Sequence, residues 1–155
     1  MRRNDRKVTD STAIEKFIAE QKILRVGFCD NGEVYIVPVN YGYSCENGKF
    51  CFYFHGAKAG RKYELTKSAP DVGFEIDGGY QLLPADTACG YSAKFMSVIG
   101  TGRLTLIDNN KDKIDALDRI MKQASQKDGW KYSDDMLSET AVFRLEAVKL
   151  SCKAK

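Results

Sequence analysis

Within Tyr53-Phe-His-Gly-Ala-Lys-Ala-Gly-Arg-Lys62, Arg61 and Lys62 follow Lys58 by three and four positions. On a helix opening near residue 58, those spacings put the three cations on one face of its first turns. At that end of a helix the amide N–H groups have no intrahelical partner and the backbone dipole is positive. Gly56 and Gly60 let the backbone approach a ligand closely. Such a combination suits a dianionic phosphate. A solvated basic helix face has the same composition. What favours the phosphate is position, directly behind a strand that ends in an aromatic residue and a histidine.

That histidine, His55, is the only one in the chain. At a strand end it is either a satisfied polar residue or a group that donates a hydrogen bond to, or stacks on, a neighbouring ligand, and both readings stay open. It is also the one side chain that reads as a proton donor. The run Val37-Pro-Val-Asn-Tyr-Gly42 offers a different chemistry. Pro38 cannot donate to a sheet ladder, so its strand is an edge or is interrupted there. Backbone groups beside it are then left for a planar heterocycle whose rim presents both donors and acceptors, such as the pyrimidine edge of a flavin. A plain edge strand shielded by proline reads equally well. Tyr35, Tyr41, Tyr43, Phe52, Tyr53 and Phe54 read first as core or interface packing, with flanking a ring as a second use.

The elements that must position these groups follow from periodicity. Thr9, Asp10 and Ser11 are candidate caps for an amphipathic helix over 9–21 that buries Ala13, Ile14, Phe17 and Ile18. Strands are expected at 23–29 and 33–43 around a turn at Asp30-Asn-Gly32, and at 49–55 after a turn at Glu46-Asn-Gly48. Gly56 is expected to break that strand, and a helix over 58–68 to end at Pro70. Strands at 71–77 and 80–83, a loop over 84–92 and a long strand over 92–107 follow. Gly100 and Gly102 suggest a bend or bulge in the long strand. Asn109 and Asn110 can cap a helix over 110–125 with Ile114, Leu117, Ile120, Met121 and Ala124 as its buried stripe. A loop containing Trp130 leads to a last strand over 140–150. This order reads as an α+β, mainly antiparallel barrel flanked by short helices, in one domain over 1–155.

Composition narrows the function classes. A net charge of +3, from 24 Lys+Arg against 21 Asp+Glu, is too mild for a nucleic-acid binder. The basic opening Met1-Arg-Arg-Asn-Asp-Arg-Lys7 has no apolar run behind it, and no stretch reaches membrane-spanning length, so a cytoplasmic protein is expected. Five cysteines without a Cys-x-x-Cys pair fit neither a disulfide scaffold nor a zinc ribbon. Cys29 and Cys51, in apolar runs, read as buried inert thiols. A single histidine excludes a multi-histidine metal site within one chain.

The succession Val37-Pro-Val-Asn-Tyr-Gly-Tyr43, Tyr53-Phe-His-Gly-Ala57, Gly60-Arg-Lys62, Val72-Gly-Phe-Glu-Ile-Asp77 and Ser97-Val-Ile-Gly-Thr-Gly102 resembles the pyridoxamine 5′-phosphate oxidase-like FMN-binding split barrels. Within that superfamily it is most similar to the 5-nitroimidazole resistance-related flavoproteins. The resemblance implies an FMN-dependent oxidoreductase acting on small acceptors, with nitroaromatic compounds as the candidate class. It implies that backbone groups of Val37, Pro38, Val39, Asn40 and Tyr41 line the isoalloxazine, and that Phe54 and His55 lie beside the ring or ribityl chain. Arg61 and Lys62 would bind the phosphate, Lys58 would assist, and Ser97 would add a hydroxyl. Such proteins are homodimers with the cofactor at the subunit interface, and Trp130 or its neighbours are candidates for the partner's contribution. The sequence has no counterpart of the Arg- and His-bearing C-terminal substrate segment of the true oxidases. A flavin-storing protein without turnover, and a haem protein with His55 as axial ligand, are the other readings of the same barrel.

Overall fold

In the computed structural model of the chain, residues 4–155 are described, and Met1, Arg2 and Arg3 of the basic opening lie outside them. A short 3₁₀ turn at Asn4–Arg6 leads to β1 (Lys7–Val8) and α1 (Ser11–Glu20). The Asp10 side chain caps α1 by accepting from the Thr12 amide at 2.9 Å. Then come β2 (Ile23–Asp30), β3 (Glu33–Asn40), β4 (Gly42–Glu46) and β5 (Lys49–Ala57). Helix α2 (Arg61–Ser68), β6 (Asp71–Leu83), β7 (Ser92–Ile107), α3 (Asn110–Ser125), α4 (Asp134–Glu139) and β8 (Thr140–Ala154) complete the order.

The strands form one antiparallel sheet in the order β3-β2-β6-β7-β8-β5-β4, with β1 added along β8. The sheet curls until β3 comes back against β5, giving an α+β split barrel. The β2–β3 and β4–β5 hairpins turn on Asn31-Gly32 and Asn47-Gly48, where positive φ at both central residues matches the strand twist. Alternation along the strands sends Val26, Phe28, Phe52, Phe74, Leu104 and Leu145 inward. Phe52 packs on Phe74 with ring centroids 5.2 Å apart. Full burial of each such side chain contributes about 1.5–3 kcal/mol.

Several expectations are corrected. The strand expected over 33–43 is two, broken at Tyr41, whose buried side chain donates from its hydroxyl to the Ile18 carbonyl at 2.6 Å. Gly56 does not break β5, because its backbone still pairs with Ala141 and the ladder runs to Ala57↔Thr140. The two strands at 71–77 and 80–83 are one, since Gly78 still pairs with Met96, and Gly79 and Tyr80 form a bulge opposite Phe95 instead of a turn. A short 3₁₀ turn, Ala88–Gly90, lies in the loop over 84–92. The bulge opposite Gly102 sits on β8, which skips Val148. Helix α4 was not expected. In α3 the buried face is rotated: Lys113, Ala116, Leu117, Ile120 and Gln123 are buried, whereas Ala124 is exposed. Gln123 earns its burial by donating to the carbonyls of Ile18, Ala19 and Gln21 at the end of α1, at 2.7–2.9 Å. Cys29 is exposed on the outer side of β2 and Cys51 is half-buried, so of the five thiols only Cys152 is buried.

Helix α3 presses directly on β4 and β5. A Cβ at Gly42 would stand 2.3 Å from the Arg119 carbonyl carbon and 2.4 Å from the Ile120 nitrogen, so only glycine allows this approach. The opposite part of the sheet is bare on its outer side, with Val34, Ile36 and Ile99 exposed.

Candidate functional site

Helix α2 starts three residues later than the sequence suggests. Gly60 occupies the cap position at φ 90°, a value that favours glycine, and supplies no side-chain cap. The first intrahelical bond is Glu64 N–H to the Gly60 carbonyl at 3.1 Å, which leaves the amides of Arg61, Lys62 and Tyr63 without a partner inside the helix. Open space surrounds Gly60. The helix start bridges the split of the barrel: Arg61 reaches the β2–β3 hairpin, and Lys62 reaches the end of β5.

The basic trio does not share one face. Lys58 precedes the helix, and its ammonium acts on Lys113 across β5. Lys113 is buried and donates to the carbonyls of Leu137 at 2.8 Å and Thr140 at 3.4 Å. Burial, and then the charge of Lys58, hold the Lys113 amine below its usual pKa. Arg61 turns the other way. Its Nε donates to Asp30 Oδ2 at 2.9 Å and its Nη1 to Glu33 Oε1 at 3.2 Å, while its guanidinium lies 4.7 Å from the centre of the Tyr35 ring. Lys62 points into the open end of the barrel, with Nζ 3.3 Å from the His55 carbonyl and 5.0 Å and 5.4 Å from the centres of the Phe143 and Phe54 rings. Burial lowers its pKa. The helix itself explains the divergence of Arg61 and Lys62, since successive residues point about 100° apart.

His55 lies on the outer side of β5, one residue from the glycine against which Lys62 packs. Partial desolvation, and then the Lys62 charge, keep its imidazole below the ordinary value of 6.5, so it is neutral at physiological pH. Phe54 points inward and stacks on Phe143 at 5.0 Å. Val37 packs on the core from β3, Val39 is buried, and Pro38 and Asn40 face outward on the sheet edge. Asn40 donates from Nδ2 to the Lys22 carbonyl at 3.1 Å. Along β3 one side of the ladder pairs with β2, and the other, although β5 approaches it, is paired with no strand among the described residues. Ser97 is not brought to this group, for it pairs with Asp77 and Lys153 on the far strands of the sheet. Trp130 is exposed and donates from its indole to the Lys127 carbonyl at 3.3 Å.

Two features escaped the sequence. Asp30 and Glu33 flank the first hairpin turn as ordinary polar turn residues, and nothing local says that a helix thirty positions on will dock there. On the outer side of β5, Cys51 accepts from Arg144 Nε at 3.4 Å and Arg119 lies over the Tyr53 ring at 5.7 Å. Among the described residues, no group of three or more His, Cys, Asp or Glu could hold a metal ion, and no helix is long and apolar enough to cross a membrane.

The fold has close counterparts among solved structures. A candidate 5-nitroimidazole antibiotic resistance protein of Bacteroides thetaiotaomicron superposes with a TM-score of 0.83 at 28% identity, covering 96% of this chain and 86% of that one. The flavocytochrome Anf3 of Azotobacter vinelandii superposes with a TM-score of 0.81 at 21% identity, over 100% and 72% of the two chains. A FAD- and haem-binding protein of Mycobacterium smegmatis does so with a TM-score of 0.77 at 14% identity, over 97% and 73%. No functionally curated protein matches the sequence. The family model described as pyridoxamine 5′-phosphate oxidase matches residues 10–154, almost the whole chain, and the protein therefore belongs to that family.

Proposed function

We propose that this protein is an FMN-binding oxidoreductase that holds the flavin phosphate at the start of α2 and the isoalloxazine along the free edge of β3. The observation that carries the reading is the uncapped, glycine-led N-terminus of α2, set at the split of the barrel beside an unpaired strand edge. Amides of Arg61, Lys62 and Tyr63 would bind the phosphate, with the Lys62 ammonium behind them. Backbone groups of Val37–Tyr41 would meet the pyrimidine edge, Pro38 keeping another strand from taking that place. Neutral His55 would lie near the ring as a hydrogen-bonding group. The flavin, when bound, supplies the electron-transfer chemistry.

A second copy of the chain completes the site in this reading. Val34 and Ile36 form an exposed apolar strip on the outer face of β3, Gly27 and Gly73 flatten the strands beside it, and Ile99 is exposed on β7 beyond the Arg25–Glu75 ion pair. A solvent-exposed surface of this kind marks a partner. Trp130, exposed on its loop, and Ser97, paired with Asp77 and Lys153 away from α2, would then be available to the neighbouring site. The likeness to the Bacteroides protein supports small nitroaromatic acceptors as the substrate class.

The test is the visible spectrum of protein purified without added cofactor. The two-banded spectrum of an oxidised flavin, bleached anaerobically by NADH or NADPH, supports the reading. A flavin spectrum that no nicotinamide donor bleaches would leave a binding protein without turnover. A Soret band would move the assignment to haem, as two proteins of this fold are described.

A further inference from the structure

Of the cations at the start of α2, Arg61 is the one best shaped for a phosphate, because its planar fork donates two parallel hydrogen bonds. In this chain the fork is filled. Nε and Nη2 each lie 2.9 Å from Asp30 Oδ2, Nη1 lies 3.2 Å from Glu33 Oε1, and Nη2 lies 3.1 Å from Glu33 Oε2. Every nitrogen of the guanidinium thus faces a carboxylate oxygen. The acceptors are themselves fixed: Asn31 Nδ2 donates to Asp30 Oδ1 at 3.1 Å, and the Asn31-Gly32 turn sets the distance between the two acids. The Tyr35 ring closes one face of the guanidinium. Single exposed ion pairs contribute little, but a planar group held by two acids and a ring is a network with one preferred geometry.

We infer that Asp30 and Glu33 are an internal anion that competes with the ligand phosphate for Arg61, and so set the affinity and the phosphate selectivity of the site. The inference rests on the flavin reading for the identity of the ligand. A phosphate that recruits Arg61 must displace two carboxylates and release the β2–β3 hairpin from α2. One that does not is held by the helix amides and Lys62 alone. Either way the acids lower phosphate affinity and leave the flavin ring indifferent.

The experiment compares the full chain with D30N/E33Q in two titrations. In the first, FMN and riboflavin are titrated by flavin fluorescence. Neutralising the acids should tighten FMN by about tenfold, the equivalent of one good charge-assisted contact, and leave riboflavin unchanged. The gain should vanish when Arg61→Met is added. Equal tightening of both flavins, no change, or weaker FMN binding would each overturn the inference, the last because it would make the acids positioning residues. In the second, inorganic phosphate is titrated while the Arg61 Nε–H resonance is followed by NMR. Phosphate should shift that resonance at lower concentration in D30N/E33Q than in the parent, and equal response in the two overturns the inference. Failure of the parent to bind either flavin sinks the flavin reading instead, and the phosphate titration still decides the competition.

Discussion

The two edges of the sheet solve the same problem in opposite ways. The edge strand β4 is covered on its face: α3 lies on it so closely that its backbone would meet a Cβ at Gly42, and the α3–α4 unit is tied to β8 by the buried amine of Lys113. The β3 edge is open, carries Pro38, and adjoins an outer face on which Val34 and Ile36 remain exposed. The first edge serves stability, and under the proposed function the second is the one that binds. A sheet that covered both would be more stable alone and would have nowhere to place a ligand or a partner.

Matched substitutions on the two sides sharpen this contrast. Gly42→Ala forces α3 away from β4 and should cost about 3 kcal/mol or more in urea unfolding, at or above the usual range for overpacking. Gly27→Ala, whose new Cβ would meet nothing nearer than the Gly73 carbonyl at 3.8 Å, should stay within about 0.5 kcal/mol in the isolated chain. Equal losses at the two glycines would break the comparison. Next in size is Lys113→Met, which strands the Leu137 and Thr140 carbonyls and should cost about 1–3 kcal/mol. Lys149→Met on the exposed part of β8 is its neutral counterpart.

Ile36→Glu reads the open side directly. It should leave the thermal midpoint of dilute protein almost unchanged, while sedimentation shows the loss of any dimer. Unaltered self-association would remove the outer face of β3 from the interface. The smallest effect belongs to His55. Because its folded pKa lies below the unfolded value of 6.5, the unfolded chain takes up the proton first. The stability contributed by the neutral imidazole is therefore present above pH 6.5 and is lost as the pH falls through the folded pKa. Lys62→Met removes one cause of the depression, so the NMR titration midpoint of His55 should move up toward 6.5.

Local chemistry made much of this architecture readable from sequence. The Asn-Gly turns, the Asp10 and Asn109 caps and the strand over 92–107 carry their signals in adjacent residues, and all lie where those signals point. Lys113 and Gln123 show the limit. Both are polar residues on a helix, and each is buried because it satisfies carbonyls on an element more than twenty positions away. The candidate site divides in the same manner. The sequence marks a helix behind β5 but opens it at residue 58 instead of Arg61, and the direction of each cation depends on what the fold puts beside it. Asp30, Glu33 and Tyr35 claim Arg61, and Phe54 and Phe143 claim Lys62.

Strand β8 joins more of the sheet than any other, pairing with β1, β5 and β7. It also follows all three in the chain. The barrel therefore cannot assemble progressively as the polypeptide emerges from the ribosome. Until β8 is released, β5 and β7 each present an unpaired edge, and the aromatic side chains of the core have one wall missing. Folding should accordingly be slow and largely post-translational, as expected when most contacts are distant in sequence. The emerging chain, with those edges open, would be at its most vulnerable to aggregation just before β8 docks.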